Sequence, residues 1–409
     1  MQSIHLEISS NGHYFLHQGQ PFFWLGDTIW SAYNLYSPEE MEYYLKHRQR
    51  QGYNVIHTMI VFDGGMDVAV SPANLSGEFP WLENDPSTPN PAYFQKVDQV
   101  LQVAQELGLL VAIMPLGGSS GAFVKQKECF TPANAYTYGK WLGERYRQQL
   151  NIIWSNGADL PPWEYEEVYT ALSRGLLAGS AGYHLISLHP SGGHSSSYFH
   201  QANWLSFNII QTWNDYWNIP AFVLADYQRQ PAKPVVLAEG AYEAGPEYPA
   251  APIIPLIVRK QAYWAYLCGG FHTYGHGDIW RKNPSWHLSL DAPGAIQMGI
   301  LKKTLASYPW WKLKPDPDFF MQGTGEGKTR NVASVSEDGD FSIAYLSSPC
   351  EVGINPSKIG GGKVIRAMWV DPRDGTQVPF TKGSYTPGRA APFRTPTGWE
   401  DAILIFETF

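Results

Sequence analysis

The chain has 409 residues, 44 % of them hydrophobic, which allows two or three domains with sizeable cores and excludes wholesale disorder. Only 16 % are charged, and the net charge of −8 would repel a nucleic-acid backbone and an anionic membrane surface alike. The 16 Trp and 24 Tyr suit a surface that stacks on neutral ring-shaped ligands, although large cores use the same residues.

In chain order, the apolar runs that read as strands are Phe22–Leu25, Val55–Val61, Leu109–Met114, Ile152–Trp154, His184–Leu188, Phe207–Gln211, Val235–Ala238 and Phe271–Tyr274. Several are unbroken, VVLA and LLVAIM among them, as parallel strands covered on both faces should be. Helix starts lie between them. Ser37-Pro38-Glu39-Glu40 is a capping box with Pro at the first helical position, and Gly52 follows as a stop. Asn90-Pro91 opens a second helix, with Phe94, Val97, Val100, Leu101 and Ala104 on one face and Gly108 at its end. Thr131-Pro132 opens a third, and Glu164–Ala178, Pro255–Leu267 and Pro293–Ser307 have helical spacing. Eight strands alternating with helices predict an α/β fold, a (β/α)8 barrel over residues 1–314. A doubly wound sheet is the alternative, but no Gly-rich phosphate loop follows any strand.

The pattern changes after Lys314-Pro315-Asp316-Pro317. Asn331–Val335 and Phe341–Leu346 flank an Asp-Gly hairpin signal, and Val364–Val370 and Ala402–Glu407 add strands with no long helix between them. Residues 315–409 therefore predict a small all-β sandwich, with a strand lent by the N-terminus.

Three cysteines, Cys129, Cys268 and Cys350, are too scattered for a disulfide framework or a zinc site. No apolar run reaches the ~18 residues of a membrane span. MQSIHLEISS lacks the basic-then-apolar pattern of a signal peptide, so the chain as written is expected in the cytoplasm. A periplasmic or secreted protein is expected if a signal precedes this sequence.

Catalytic groups of such barrels stand at the C-terminal ends of the strands. Asp159 follows strand four and Glu239 ends strand seven, across the barrel mouth from each other. Glycosidic-bond cleavage uses such a pair, one carboxyl protonating the leaving oxygen while the other attacks or activates water at the anomeric carbon. By this reading Asp159 is the general acid/base and Glu239 the nucleophile. Asp27, Trp30, His57, Trp154, Asn156, His189, Trp213, Tyr242, His272, Tyr274 and His276 are the candidates for binding sugar. The alternation of His272, Tyr274 and His276 is read as pointing all three into the barrel. Glu243, four residues beyond the strand, is expected to support the nucleophile. No ligand spacing implies a metal, and displacement at an anomeric carbon needs no cofactor. The expected partner is an oligosaccharide or glycoside; the pattern specifies no oligomeric state.

These residues reach a resemblance. PFFWLGDTIW (21–30), YYLKHRQRQGYNVI (43–56), NAYTYGKWLGERYRQQLNIIWSNGAD (134–159), KPVVLAEGAYE (233–243) and VRKQAYWAYLCGGFHTYGHGDIW (258–280) resemble glycoside hydrolase family 140, the apiosidase-like barrels. MWVDPRDG (368–375) resembles the family's C-terminal domain, which has carried a collagen-binding label. The resemblance implies a retaining mechanism, with Asp159 and Glu239 at the family's catalytic positions and apiose-containing side chains of the pectin rhamnogalacturonan II as substrate. Ala158, Leu116-Gly117-Gly118 and Gln211-Thr212-Trp213 depart from the family's pattern. They motivate a different class of function, a carbohydrate-binding protein with no or altered activity on the same barrel.

Overall fold

A computed structural model describes residues 4–65, 68–117, 128–157, 159–246, 248, 251–358, 365–380 and 389–408. Ala158, Gly118 and Val364 lie outside the described residues.

Eight strands make the centre: β1 (Leu25–Thr28), β2 (Val55–Met59), β3 (Leu110–Met114), β4 (Ile152–Gly157), β5 (Ile186–His189), β6 (Asn208–Gln211), β7 (Val235–Glu239) and β8 (Phe271–Tyr274). They pair in parallel in the order β5-β4-β3-β2-β1-β8-β7-β6, the wrap of a (β/α)8 barrel. Every residue in them is buried, which explains the unbroken apolar runs. The seam between β5 and β6 closes through the Ser206 amide on the Ile186 carbonyl at 2.7 Å and the Ser187 hydroxyl on the Phe207 carbonyl at 2.6 Å. A two-residue strand, His194–Ser195, runs antiparallel on β6 along the edge facing that seam.

The long helices are α1 (Pro38–Arg50), α2 (Pro91–Glu106), α3 (Pro132–Arg145), α4 (Glu166–Ser180), α5 (Ile219–Tyr227), α6 (Pro255–Leu267) and α7 (Pro293–Ala306). Proline opens five of them, where a missing N–H costs nothing. Ser37 and Glu40 form the expected reciprocal cap on α1, and Thr131 with Asn134 forms one on α3. One connection departs from the strand–helix alternation. The β5–β6 connection carries only the 3-10 turn Ser196–Phe199, whereas α5 fits the alternation but has a near-uniform apolar composition that hides its period.

The first strand also shifts. Gln20–Phe22 belongs to a separate antiparallel sheet with Leu6–Ile8 and Phe15–His17, so the FFWL run is divided between two sheets and β1 starts at Leu25. That sheet plugs the barrel floor: the Phe15 ring lies 5.5 Å from Trp24, 5.3 Å from Phe207 and 5.7 Å from Phe271, all at the N-terminal ends of barrel strands. It lends no strand to the C-terminal sandwich, contrary to expectation.

The sandwich has two antiparallel sheets. Six strands run in the order Leu313–Pro315, Val332–Ser336, Phe341–Leu346, Ala402–Thr408, Ile365–Val370 and Gln377–Phe380; three run in the order Phe320–Gln322, Glu351–Ile354 and Ala391–Arg394. The six-stranded sheet packs on α6, where Tyr263 stacks on Tyr345 at 4.6 Å. There the buried Arg259 bonds Asp401 through Nε at 2.9 Å and Nη2 at 2.8 Å.

Candidate active site

Side chains from strands that are not neighbours in the sheet can touch only across the barrel interior, and such contacts identify its lining. His57 of β2 has Nε2 3.1 Å from the Ser155 hydroxyl of β4, and its ring centroid is 5.2 Å from that of His189 at the end of β5. Nε2 of His189 is 3.4 Å from Oε2 of Glu239, the last residue of β7. Trp30, just after β1, meets the His57 and His189 rings edge-on at 4.7 and 5.4 Å, and its indole N–H donates to the Tyr242 hydroxyl at 2.9 Å. The Tyr242 ring lies on the Gly275 backbone, where a Cβ would overlap it. Trp30, Met59, Phe62, Met114, Tyr242 and Trp280 form an apolar cluster of their own, apart from the larger cores.

Glu239 therefore stands with an apolar wall and the imidazole of His189 beside it. Burial pushes His189 down to about 3 and His57 well below the usual histidine range, so both rings are neutral at neutral pH. Trp213 follows β6, half-buried, with its ring centroid 5.7 Å from that of Tyr248. Its φ of 47° lies in the left-handed region, a strain of order 1 kcal/mol of the kind binding loops carry.

Two backbone devices hold the loops that carry the carboxylates. β4 ends in Gly157 at φ 125°, where a Cβ would overlap the His189 carbonyl oxygen, so only glycine fits. Asp159 follows, half-buried, at φ 51°, a conformation that Asp tolerates better than most residues. Across the barrel, the Thr212 N–H donates to the Glu239 carbonyl at 3.0 Å. Gln261 of α6 accepts from the Ala241 N–H at 2.6 Å and donates to the Ala241 carbonyl at 3.0 Å, clamping the chain just past Glu239. Gln261 went unnoticed in the sequence, where its signal is a lone amide inside the apolar face of α6.

Several sequence candidates lie elsewhere. Asp27 points away from the interior, and its Oδ2 accepts from Tyr44 and Arg48 of α1, both at 2.5 Å. Burial pushes its carboxyl up against the opposing pull of Arg48. Trp154 packs between Tyr146 and His184, with ring centroids 6.1 and 6.3 Å away. Asn156 donates to the Tyr169 carbonyl at 2.9 Å and the Ser173 hydroxyl at 2.8 Å, tying β4 to α4. Tyr274 donates to Glu243 at 2.6 Å and lies 5.6 Å from the Arg48 guanidinium on the helix side of β8. His272 shares that side by alternation and is buried there. His276 caps the short helix Gly277–Trp280, with Nδ1 accepting from the Asp278 N–H at 3.1 Å. The inward reading of these three assigned the wrong phase to the alternation. Glu243 accepts the Gly294 N–H at the start of α7 at 3.0 Å, and burial pushes its carboxyl up. Among the described residues no group of three His, Cys, Asp or Glu side chains is placed to hold a metal ion, and no helix is long and apolar enough to cross a membrane.

Residues 9–312 match the family model described as the apiosidase-like catalytic domain. The chain belongs to the apiosidase-like family. Residues 315–407 match a model described as "Putative collagen-binding domain of a collagenase". A solved structure titled "Glycoside hydrolase" is 27% identical with a TM-score of 0.87, and the match covers 99% of this chain and 97% of that one. A glycoside hydrolase family 5 structure from Bacteroides vulgatus ATCC 8482 has the same identity and TM-score, covering 99% of this chain and 93% of its own. No protein with a curated description matches. This apiosidase-like protein is a glycosidase, and its (β/α)8 barrel carries the C-terminal β domain of the same relatives.

Proposed function

We propose that this apiosidase-like enzyme is a retaining glycoside hydrolase of family 140 acting on plant cell-wall oligosaccharides, with apiose-containing side chains of pectin as the first substrates to try. Protonated Asp159 gives its proton to the leaving oxygen as Glu239 attacks the anomeric carbon, forming a covalent glycosyl-enzyme. Water then attacks the same carbon while Asp159 takes up its proton, which returns the original configuration.

The observation that carries the reading is Glu239 at the end of β7 with Nε2 of the neutral His189 3.4 Å away. A neutral imidazole can orient a carboxylate by donating an N–H while leaving it the negative charge that attack requires. The apolar wall of Trp30, Tyr242 and Trp280 supports the reading as a surface for the C–H faces of a sugar. The clamp from Gln261 and the left-handed turn at Asp159 fit groups that must be held in one geometry.

The test is turnover of oligosaccharides released from pectin. Asp159→Asn and Glu239→Gln should each lower kcat by at least ~10³-fold with unchanged circular dichroism. Wild-type turnover in Glu239→Gln would refute the assignment of the nucleophile.

A further inference from the structure

The β4–α4 connection and the chain after β5 meet at the barrel rim in an aromatic patch that the mechanism leaves unused. Trp163, four residues past Asp159, is 54% exposed, and Tyr198 is 50% exposed. The Trp163 ring centroid lies 5.0 Å from His194 and 6.2 Å from Tyr198. The patch is fastened to the loop of the candidate acid. The Ser191 N–H donates to the carbonyl of Leu160, next to Asp159, at 3.1 Å, and the Ser191 hydroxyl is 3.0 Å from His194 Nδ1. The Tyr198 hydroxyl donates to Glu166 at 2.7 Å.

Of the 16 Trp, only Trp163 and Trp311 have 38% or more of their surface exposed. Trp311 belongs to the opposite end of the barrel, against Trp310, which packs on Phe271 at the start of β8. Trp163 alone among these two stands at the face where strands end in carboxylates. Large rings left in water at one place mark a binding surface.

We infer that Trp163, with His194 and Tyr198, binds a sugar ring on the leaving-group side of the scissile bond. The inference rests on the reading of Asp159 as the acid: an acid delivers its proton to the leaving oxygen, so the rings on its own loop face the part of the substrate that departs.

Calorimetry of Glu239→Gln against size-fractionated oligosaccharides from pectin tests this without turnover. Adding Trp163→Ala should weaken binding about tenfold or more, and Trp163→Phe should keep most of it. Tyr136→Ala, which removes a ring of 41% exposure on α3, should change nothing. Equal affinity with and without the Trp163 ring, no binding by Glu239→Gln, or equal loss in Tyr136→Ala would each overturn the inference. Turnover by the wild type separates the two levels. Hydrolysis of these oligosaccharides with kcat/KM unaltered by Trp163→Ala removes the subsite and leaves the glycosidase reading standing. Binding through Trp163 with Asp159→Asn as active as wild type removes the acid, and the leaving-group placement with it.

Discussion

Trp154 and Ser155 are neighbours in the chain with opposite environments. Ser155 faces His57 inside the barrel, whereas Trp154 is packed under the helices. Strand ends were legible because polarity breaks there: Trp30, His189, Tyr242 and Glu239 all sit where an apolar run stops, and all come together. Inside a run the phase was not legible, since a strand covered on both faces has no polar side to mark it, and Trp154, Asn156, His272 and Tyr274 were assigned to the wrong face for that reason. Trp154→Ala should cost about 3–5 kcal/mol in urea unfolding while leaving KM of the folded enzyme unchanged. A raised KM with full stability would put Trp154 in the sugar site. The tryptophan count meant less than it suggested, because only one strongly exposed indole lies on the catalytic face.

At the scale of elements, β1 is fixed to α1 by a charge pair that water does not reach. Arg48 and Asp27 are both fully buried, and Arg48 also donates to the Leu290 carbonyl at 2.8 Å. Arg48→Met should lower stability by about 3–5 kcal/mol, because it strands a buried carboxylate. Adding Asp27→Asn should restore part of the loss, and a double variant no better than the single would show that the charge is not the cause. The turn after β4 is equally constrained. Gly157→Ala should abolish or greatly reduce turnover, since the methyl needs a forbidden φ and the space of the His189 carbonyl. Helix starts were the most legible elements, written as Ser-Pro, Asn-Pro and Thr-Pro. The 3-10 turn that replaces a helix between β5 and β6 was not, because closure of the seam there depends on contacts distant in sequence.

For the molecule as a whole, barrel and sandwich share an apolar core. Val258, Ala262 and Leu267 of α6 belong to one cluster with Ile343, Tyr345 and Ile405 of the six-stranded sheet. Leu313–Pro315, where the sequence put the boundary, pairs with Val332–Ser336. A chain ending at residue 314 should therefore be insoluble or unfold at markedly lower temperature than the full chain, read by Tm. A barrel of unchanged Tm would make the sandwich dispensable.

Stability should also fall with acid. Burial pushes His189 and His272 down to about 3, and His184 and His276 down to about 4, from an ordinary value of 6.5. Between those limits the unfolded chain binds protons that the folded one does not, so each histidine removes up to ~1.4 kcal/mol per pH unit as pH drops. Asp27 and Glu243, pushed up by burial from ordinary values of 3.8 and 4.5, act in the opposite sense above those values. The urea midpoint should be clearly lower at pH 5 than at pH 7, and an equal midpoint would contradict the buried, neutral state of these rings.

Proton NMR of the sugar first released from pectin-derived oligosaccharides decides whether Asp159 and Glu239 work as an acid and a nucleophile. The released anomer should have the configuration of the bond that was cut, appearing with wild type and absent with Glu239→Gln. First release of the opposite anomer, or release undiminished by Glu239→Gln, would contradict it.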